Sequence, residues 1–566
     1  MKQAKLSMVI IALVLCGYGI QAPFHLTDPP TEPTIDRSVR GAETLGDMGP
    51  PPYEYIRIRG EAVPNWVPKH LRRAPSGAGP LNWTVLGPKP IVSEFWSGND
   101  DASGRVVSLA PHPTDDDICY IASASGGIWK TVDGGLNWTP LTDELSNLNH
   151  GVVTLDPSNS NTVYAGTGEY TTGSTGDGLF KSTDAGATWI KIATKEQTSF
   201  RYSGLIIDPT NPLIIHTSGS GGYDRSINGG TNWSQFVSGA MSSMVMSPNN
   251  SQVLYLGDHN DGVRKSINGG ATWTLLGGGL PAAGTIQRIV LAMSASAGPL
   301  DTIYAACIFN ADLEGLYRTT DSGTTWTKLV NTPDFPSPQG WYDVFVGVDP
   351  TNANTVYCGG VFPSYAVAGV IKTTDGGINW NDITVSGISG QLHPDQHAVA
   401  FGPTGIVWIG NDGGVWKSTD AGASWINTNN TLNITQNYSL AVNPLNPDIM
   451  MSGTQDNGTI ERQAAIDDWP QIRAGDGGYL VYDFNFPTRR YTTYVYLSIA
   501  RQVGTSSTNI TGPWSGDSRN FIAPMVMDPN DASTLLGGTN RIWRTTNADT
   551  TASWTAISTS DGNNIN

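Results

Sequence analysis

Acidic and histidine side chains recur beside glycine in one set of short stretches. These are Gly166-Thr167-Gly168-Glu169, Asp258-His259-Asn260-Asp261-Gly262, Asn411-Asp412-Gly413-Gly414, Gln455-Asp456-Asn457-Gly458 and Gly475-Asp476-Gly477-Gly478. A further stretch, His393-Pro394-Asp395-Gln396-His397, puts its His, Asp and His on one side of an extended chain. Carboxylates gathered on one surface offer two chemistries. A pair of them, one protonated and one ionised, cleaves a glycosidic bond as acid and base. A group of them, with backbone carbonyls, holds a calcium ion. The candidate catalytic residues are Asp412, Asp456, Asp476 and Glu169, and the candidate binding residues are His393, Asp395, His397, Asp258 and Asp261. Zinc is poorly served, because the two histidines lack a third nitrogen or sulfur ligand. Against both chemistries stands turn formation, which uses Asp-Gly and Asn-Gly pairs for their backbone preferences alone.

What positions these stretches is a repeat. Lys181-Ser182-Thr183-Asp184-Ala185-Gly186-Ala187-Thr188-Trp189 has near-copies at 130–138, 225–233, 265–273, 318–326, 372–380 and 417–425. The fourth position is Asp133, Asp184, Asn228, Asn268, Asp321, Asp375 or Asp420. Such a residue accepts backbone N–H groups just ahead of it, and the glycine two places on supplies a positive φ, which together make a hairpin corner. The closing Trp packs on the sheet with its N–H near the wet edge. Units of this size mark a propeller or solenoid, each needing its neighbours. Alternation is clear in Thr162-Val163-Tyr164-Ala165-Gly166 and helical periods are absent, so the chain is all-β. The expectation is a multi-bladed β-propeller of four-stranded antiparallel blades. Seven units fill residues 81–430, and three degenerate ones fill 431–566. A lone strand at Trp83 copies the strand after the repeat turn, and is expected to complete a later blade and close the ring. In a four-stranded blade the repeat turns share one face, so they hold corners. The acidic stretches fall on the other face.

The repeat resembles the Asp box of sialidases, xyloglucan-degrading endoglucanases, sortilin-type receptors and a photosystem II assembly factor. The resemblance implies the propeller fold. It also implies either a glycan-active protein, a binder or a glycoside hydrolase, or a sortilin-like protein-binding scaffold. Sortilin-type receptors close ten blades into one ring, and the xyloglucan-degrading group builds rings of seven; both arrangements stay open. In that group the catalytic base is the Asp of an Asp-x-Gly-Gly loop in the first blade. Here the loop reads Ala124-Ser125-Gly126-Gly127, without a carboxylate. Sialidases clamp a carboxylate with three arginines. Arg105, Arg201 and Arg288 stand near strand starts, but the Phe-Arg-Ile-Pro signature is absent.

The net charge of −17, with 32 Lys+Arg and no basic stripe, argues against nucleic acid and anionic membrane as partners. A polysaccharide or an extracellular protein fits better. Residues 1–22 read as an export signal, with Lys2 and Lys5 ahead of a short apolar run that cannot span a bilayer. The expected location is therefore secreted or cell-envelope. Leu13-Val14-Leu15-Cys16 resembles a lipoprotein box, although Leu15 stands where a small residue is wanted. Residues 23–80 are a Pro-rich extended leader. Cys119, Cys307 and Cys358 lie in equivalent strands and read as buried small hydrophobes rather than disulfide partners.

Overall fold

The computed structural model describes residues 85–98, 100–171, 173–295, 299–361, 369–384, 391–463 and 467–560. The export signal with Cys16, the leader and the strand expected at Trp83 lie outside these residues. Ten sheets follow one another, each built of four sequential antiparallel strands. Blade one comprises Val106–Pro111, Cys119–Ser123, Gly127–Thr131 and Thr139–Pro140. Blade two runs from His150–Asp156 to Ile190–Thr194, three from Tyr202–Ile207 to Ser234–Ser238, and four from Met241–Met246 to Thr274–Leu275. Blade five runs from Arg288–Met293 to Thr327–Lys328, six from Phe345–Val348 to Asn381–Asp382, and seven from Gln396–Phe401 to Ile426–Asn427. Blades eight, nine and ten begin at Asn437–Val442, Leu480–Tyr482 and Met525–Asp528.

From blade one to blade seven each inner strand packs on the next, as do those of blades eight, nine and ten, and Gln396–Phe401 of blade seven packs back on Val106–Pro111 of blade one. Blades one to seven are therefore a closed ring, and blades eight to ten stack in series after it. A single ring of ten is excluded. The ring closes without a borrowed strand, because all four strands of each ring blade are contiguous in sequence. Side chains do the joining instead. Trp138 and Trp408 meet edge to face at 6.4 Å, in a buried cluster with Val106, Ile121, Val415 and Ile434. The N-terminal strand Ile91–Val92 has a different place. It adds a fifth strand, in parallel, to the outer edge of blade eight beside Trp469 and Pro470.

The repeat turn works as its residue types require. Asp184 Oδ1 accepts the Thr188 N–H at 2.8 Å and the Ser182 hydroxyl at 2.7 Å, and Ser182 Oγ accepts the Gly186 N–H at 2.9 Å. Gly186 has φ +95, a conformation that costs glycine little. The basic residue that opens each repeat also acquires a role. Lys130 and Lys372 stand opposite Tyr120 and Tyr357 across the strand pair, each ammonium 5.0 Å from the ring centroid. Lys372 then donates to the Ala421 carbonyl in the next blade's turn at 2.7 Å. The tryptophan reaches the other way: Trp189 and Trp425 donate to Leu141 and Ile383 of the preceding blades at 3.0 and 2.7 Å. The 417–425 repeat thus fastens blade seven to both neighbours, Trp425 to Ile383 and Lys417 to Gly134. Cys119, Cys307 and Cys358 are free and buried in the cores between blades. Among the described residues no helix is long and apolar enough to cross a membrane.

Candidate acidic site at the ring mouth

Loops on the side opposite the repeat turns carry the acidic residues together. Arg105 precedes the inner strand of blade one, and Glu169 follows the second strand of blade two. Tyr342 and Asp343 lead into blade six, and Asp395 and His397 stand at the start of blade seven. Asp412 and Asp456 follow the second strands of blades seven and eight, and Asp476 precedes blade nine. Carboxylate oxygens of Asp395, Asp412 and Asp456 all lie within 4.8 Å of one another. Asp395 and Asp456 hold φ +62 and +59, a region that non-glycine residues enter at a cost and that clusters at functional sites.

A polar network surrounds the group. Arg105 pairs with Glu169 at 3.0 Å and donates to Tyr342 Oη at 2.6 Å, and Tyr342 donates in turn to Asp412. His397 Nε2 lies 2.8 Å from Asp412 Oδ1, and Asn457 Nδ2 donates to the Asp412 carbonyl at 2.9 Å. Asp476 Oδ1 accepts the Asp456 backbone N–H at 3.1 Å. Burial and then repulsion from Asp412 push Asp395 and Asp456 well above the usual carboxylate range. Burial, with Asp395 next, does the same to Asp343, and burial raises Asp412 against the pull of Arg105. Burial and then Arg105 hold His397 well below its ordinary value, so the neutral ring donates Nε2–H to Asp412. Burial works against the charge of Arg105, but Glu169, Tyr342 and Asp412 keep it protonated.

Below this mouth the ring axis is a cavity of about 270 Å³, lined by inner-strand residues including Ser203, Ser243, Val290 and Val346. Glu169, Tyr170, Arg288 and His397 edge it. Glu169 and Asp412 are buried behind their partners, whereas Asp456 and Asp476 are half-buried and reach solvent. His393 stays beside the group, its ring against Gly413 next to Asp412, whereas Asp258 and Asp261 fall elsewhere. His393 is buried with Nε2 at 3.7 Å from Glu94. Asp258 and Asp261 both bind Arg264 on blade four. Arg201 donates to the Gly173 carbonyl at 2.5 Å and Arg288 to Tyr342 and Gly340 carbonyls at 2.9 and 3.2 Å, and all three arginines feel the charge of Glu169.

Sequence reading missed Tyr342, Asp343 and Glu94. Trp341-Tyr342-Asp343 occupies the lead-in to blade six, the place that His393–His397 occupies in blade seven, and comparing lead-ins would have found it. It also missed the aromatic residues of blade nine that start at Tyr494, against which Gly475 lies. Tyr496 and Leu497, between the second and third strands of blade nine, sit at φ +55 and +62. Tyr496 is 39% exposed and meets Phe521 edge to face at 5.6 Å, with Arg519 over its ring. Gly475 lies so close to Tyr494 that a Cβ there would sit 2.5 Å from the ring. Trp341 is exposed on the blade six side.

Comparison with known proteins adds sequence and fold. No family model matches the chain. It is 25% identical over 350 residues to a xyloglucanase of Hypocrea jecorina, covering 57% of this chain and 38% of that protein. It is 24% identical over 279 residues to a xyloglucanase of a Paenibacillus species, covering 45% of this chain and 23% of that protein. The chain thus spans well under half the length of these curated relatives. Among solved structures, the GH74 enzyme of Niastella koreensis superposes with TM-score 0.58 at 19% identity, over 81% of this chain and 73% of that one. An ancestral GH74 enzyme gives TM-score 0.60 at 18% identity, over 85% and 72%. At these identities the structural likeness establishes the fold alone: this chain is a β-propeller protein, similar in sequence to xyloglucanases.

Proposed function

We propose that the chain is glycan-active and binds a polysaccharide across the rim where Asp476 stands beside Tyr494, Tyr496 and Phe521. One observation carries this reading: a half-buried carboxylate, fixed by the Asp456 N–H, follows Gly475, which lies against the Tyr494 ring, and Tyr496 two residues beyond is exposed in positive-φ backbone. Sugar rings present apolar C–H faces to aromatic rings and hydroxyl donors to carboxylates, so this pairing of surfaces suits them. Similarity to xyloglucanases supports the same substrate class. The export signal read in residues 1–22 suits a protein that meets such a polymer outside the cytoplasm.

Glycoside hydrolysis is the second reading, and the xyloglucanase similarity is what favours it. Asp476 and Asp456 are the two carboxylates of the group that reach solvent, and they would be the acid and base. A glycan array, combined with reducing-sugar release from plant and bacterial polysaccharides, tests both readings. Retention of β-glucan chains supports the first, and sugar release that Asp476→Asn abolishes supports the second. An array that retains no glycan, while an extracellular protein is captured, would replace both with a receptor role.

A further inference from the structure

We propose that Asp395, Asp412 and Asp456 form a calcium site that ties the seven-bladed ring to the eighth blade. The first two belong to blade seven and the third to blade eight. Their ligand oxygens lie within 4.8 Å of one another, which is about the greatest separation of two oxygens bound to one Ca²⁺ at ~2.4 Å. A second observation points the same way. Asp343 is wholly buried, its carboxyl meets no partner other than its own backbone N–H and the Asp395 carboxyl, and Asp395 is the charged group that acts on it most strongly. Asp395 Oδ1 also lacks a donor, although the residue is 7% exposed.

The neighbouring basic groups are turned to other partners, His393 among them at 3.7 Å from Glu94. Arg105 is engaged by Glu169 and Tyr342, Arg288 is turned to the Gly340 and Tyr342 carbonyls, and His397 is neutral. Four carboxyl groups in such a place therefore need a cation or several protons, since isolated buried charges are costly. An all-oxygen donor set on three loops, with solvent reaching the Asp456 side, suits a large, flexibly coordinated ion better than Mg²⁺, which demands near-octahedral geometry. The site does not depend on the glycan-binding reading, although it would take Asp456 away from the hydrolysis reading.

The test is calorimetric titration of the chelator-stripped full chain with CaCl₂, and separately with MgCl₂, in the absence of any glycan. One Ca²⁺ per chain is expected, with affinity at least tenfold weaker in the Asp395→Asn/Asp456→Asn double variant and unchanged in Asp184→Asn on the opposite face. Amide exchange at residues 455–457 should slow on adding Ca²⁺ to the wild-type chain, a readout that holds even if the double variant does not fold. No calcium binding by the wild type, binding indifferent to the double substitution, or equal affinity for Mg²⁺ would overturn the proposal. The first of these would mean that protons alone balance the cluster.

Discussion

Trp138 of blade one donates its indole N–H to the Thr428 carbonyl of blade seven at 2.7 Å, repeating at the seam the bond that Trp189 makes to Leu141 at 3.0 Å. The seam is thus one more blade-to-blade joint, sealed by the same residue type. Trp138 is 5% exposed and packs on Trp408. Its replacement by alanine should cost about 3–5 kcal/mol, as for other buried aromatics. Urea unfolding measures this, and an unchanged midpoint would contradict closure through this tryptophan.

Asp184 holds its turn through Thr188 and Ser182, and the Thr188 hydroxyl and N–H lead in lowering its carboxyl to about 2. A folded value below the unfolded one means stability that is present above pH 4 and lost as pH falls through 2. Asp184→Ala should therefore lower the melting midpoint at pH 7 and make little difference near pH 2. Melting curves of the two proteins across that range check it, and a deficit that persists unchanged at pH 2 would contradict the hydrogen-bonding role.

How far the sequence carried depended on how local the physics was. The turn at 182–188 is set by neighbours within four residues, so the repeat announced each ring blade and the face opposite its turns. The seam was less legible, because Trp138 looks like every other repeat tryptophan until its partner on blade seven is known. The acidic group was half legible: Asp395, Asp412 and Asp456 each stood in a glycine-rich or histidine-rich stretch, and the blade-eight loop meeting blade seven at Asp412 brings them together. Asp343 carries no such flag, and its meaning comes only from burial beside Asp395. Asp258 and Asp261 stand in an equally suggestive stretch, but Arg264 three residues beyond takes both.

Asp224, inside blade three, is 1% exposed, and burial raises it to about 7 against the pull of Gln235. Here the folded value lies above the unfolded one. The stabilising effect of its proton is complete below pH 4 and lost as pH rises to about 7, up to about 4 kcal/mol. Burial lowers His150 and His216 to about 4, and they act in the opposite sense, losing stability as pH falls below 6.5. The readout is therefore the difference between Asp224→Asn and wild type. It should grow in the variant's favour from pH 4 to pH 7, and a difference independent of pH would contradict the assignment.

Arg105 and Glu169 are each about 97% buried at their side chains and 3.0 Å apart. Arg105→Met should cost about 3–5 kcal/mol, because it strands Glu169 and deprives Asp412 of its nearest cation. Chemical denaturation of the variant measures this, and a loss under 1 kcal/mol would show that the pair is dispensable.

The most direct test of the account is the affinity of Asp476→Asn and Tyr496→Ala for xyloglucan, measured by calorimetry beside wild type and Asp184→Ala. Binding at least tenfold weaker in both rim variants, about 1.4 kcal/mol or more, with unfolding midpoints unchanged and Asp184→Ala binding like wild type, is the result expected of a glycan-binding rim. Full affinity in both rim variants, or an equal loss in Asp184→Ala, would contradict it.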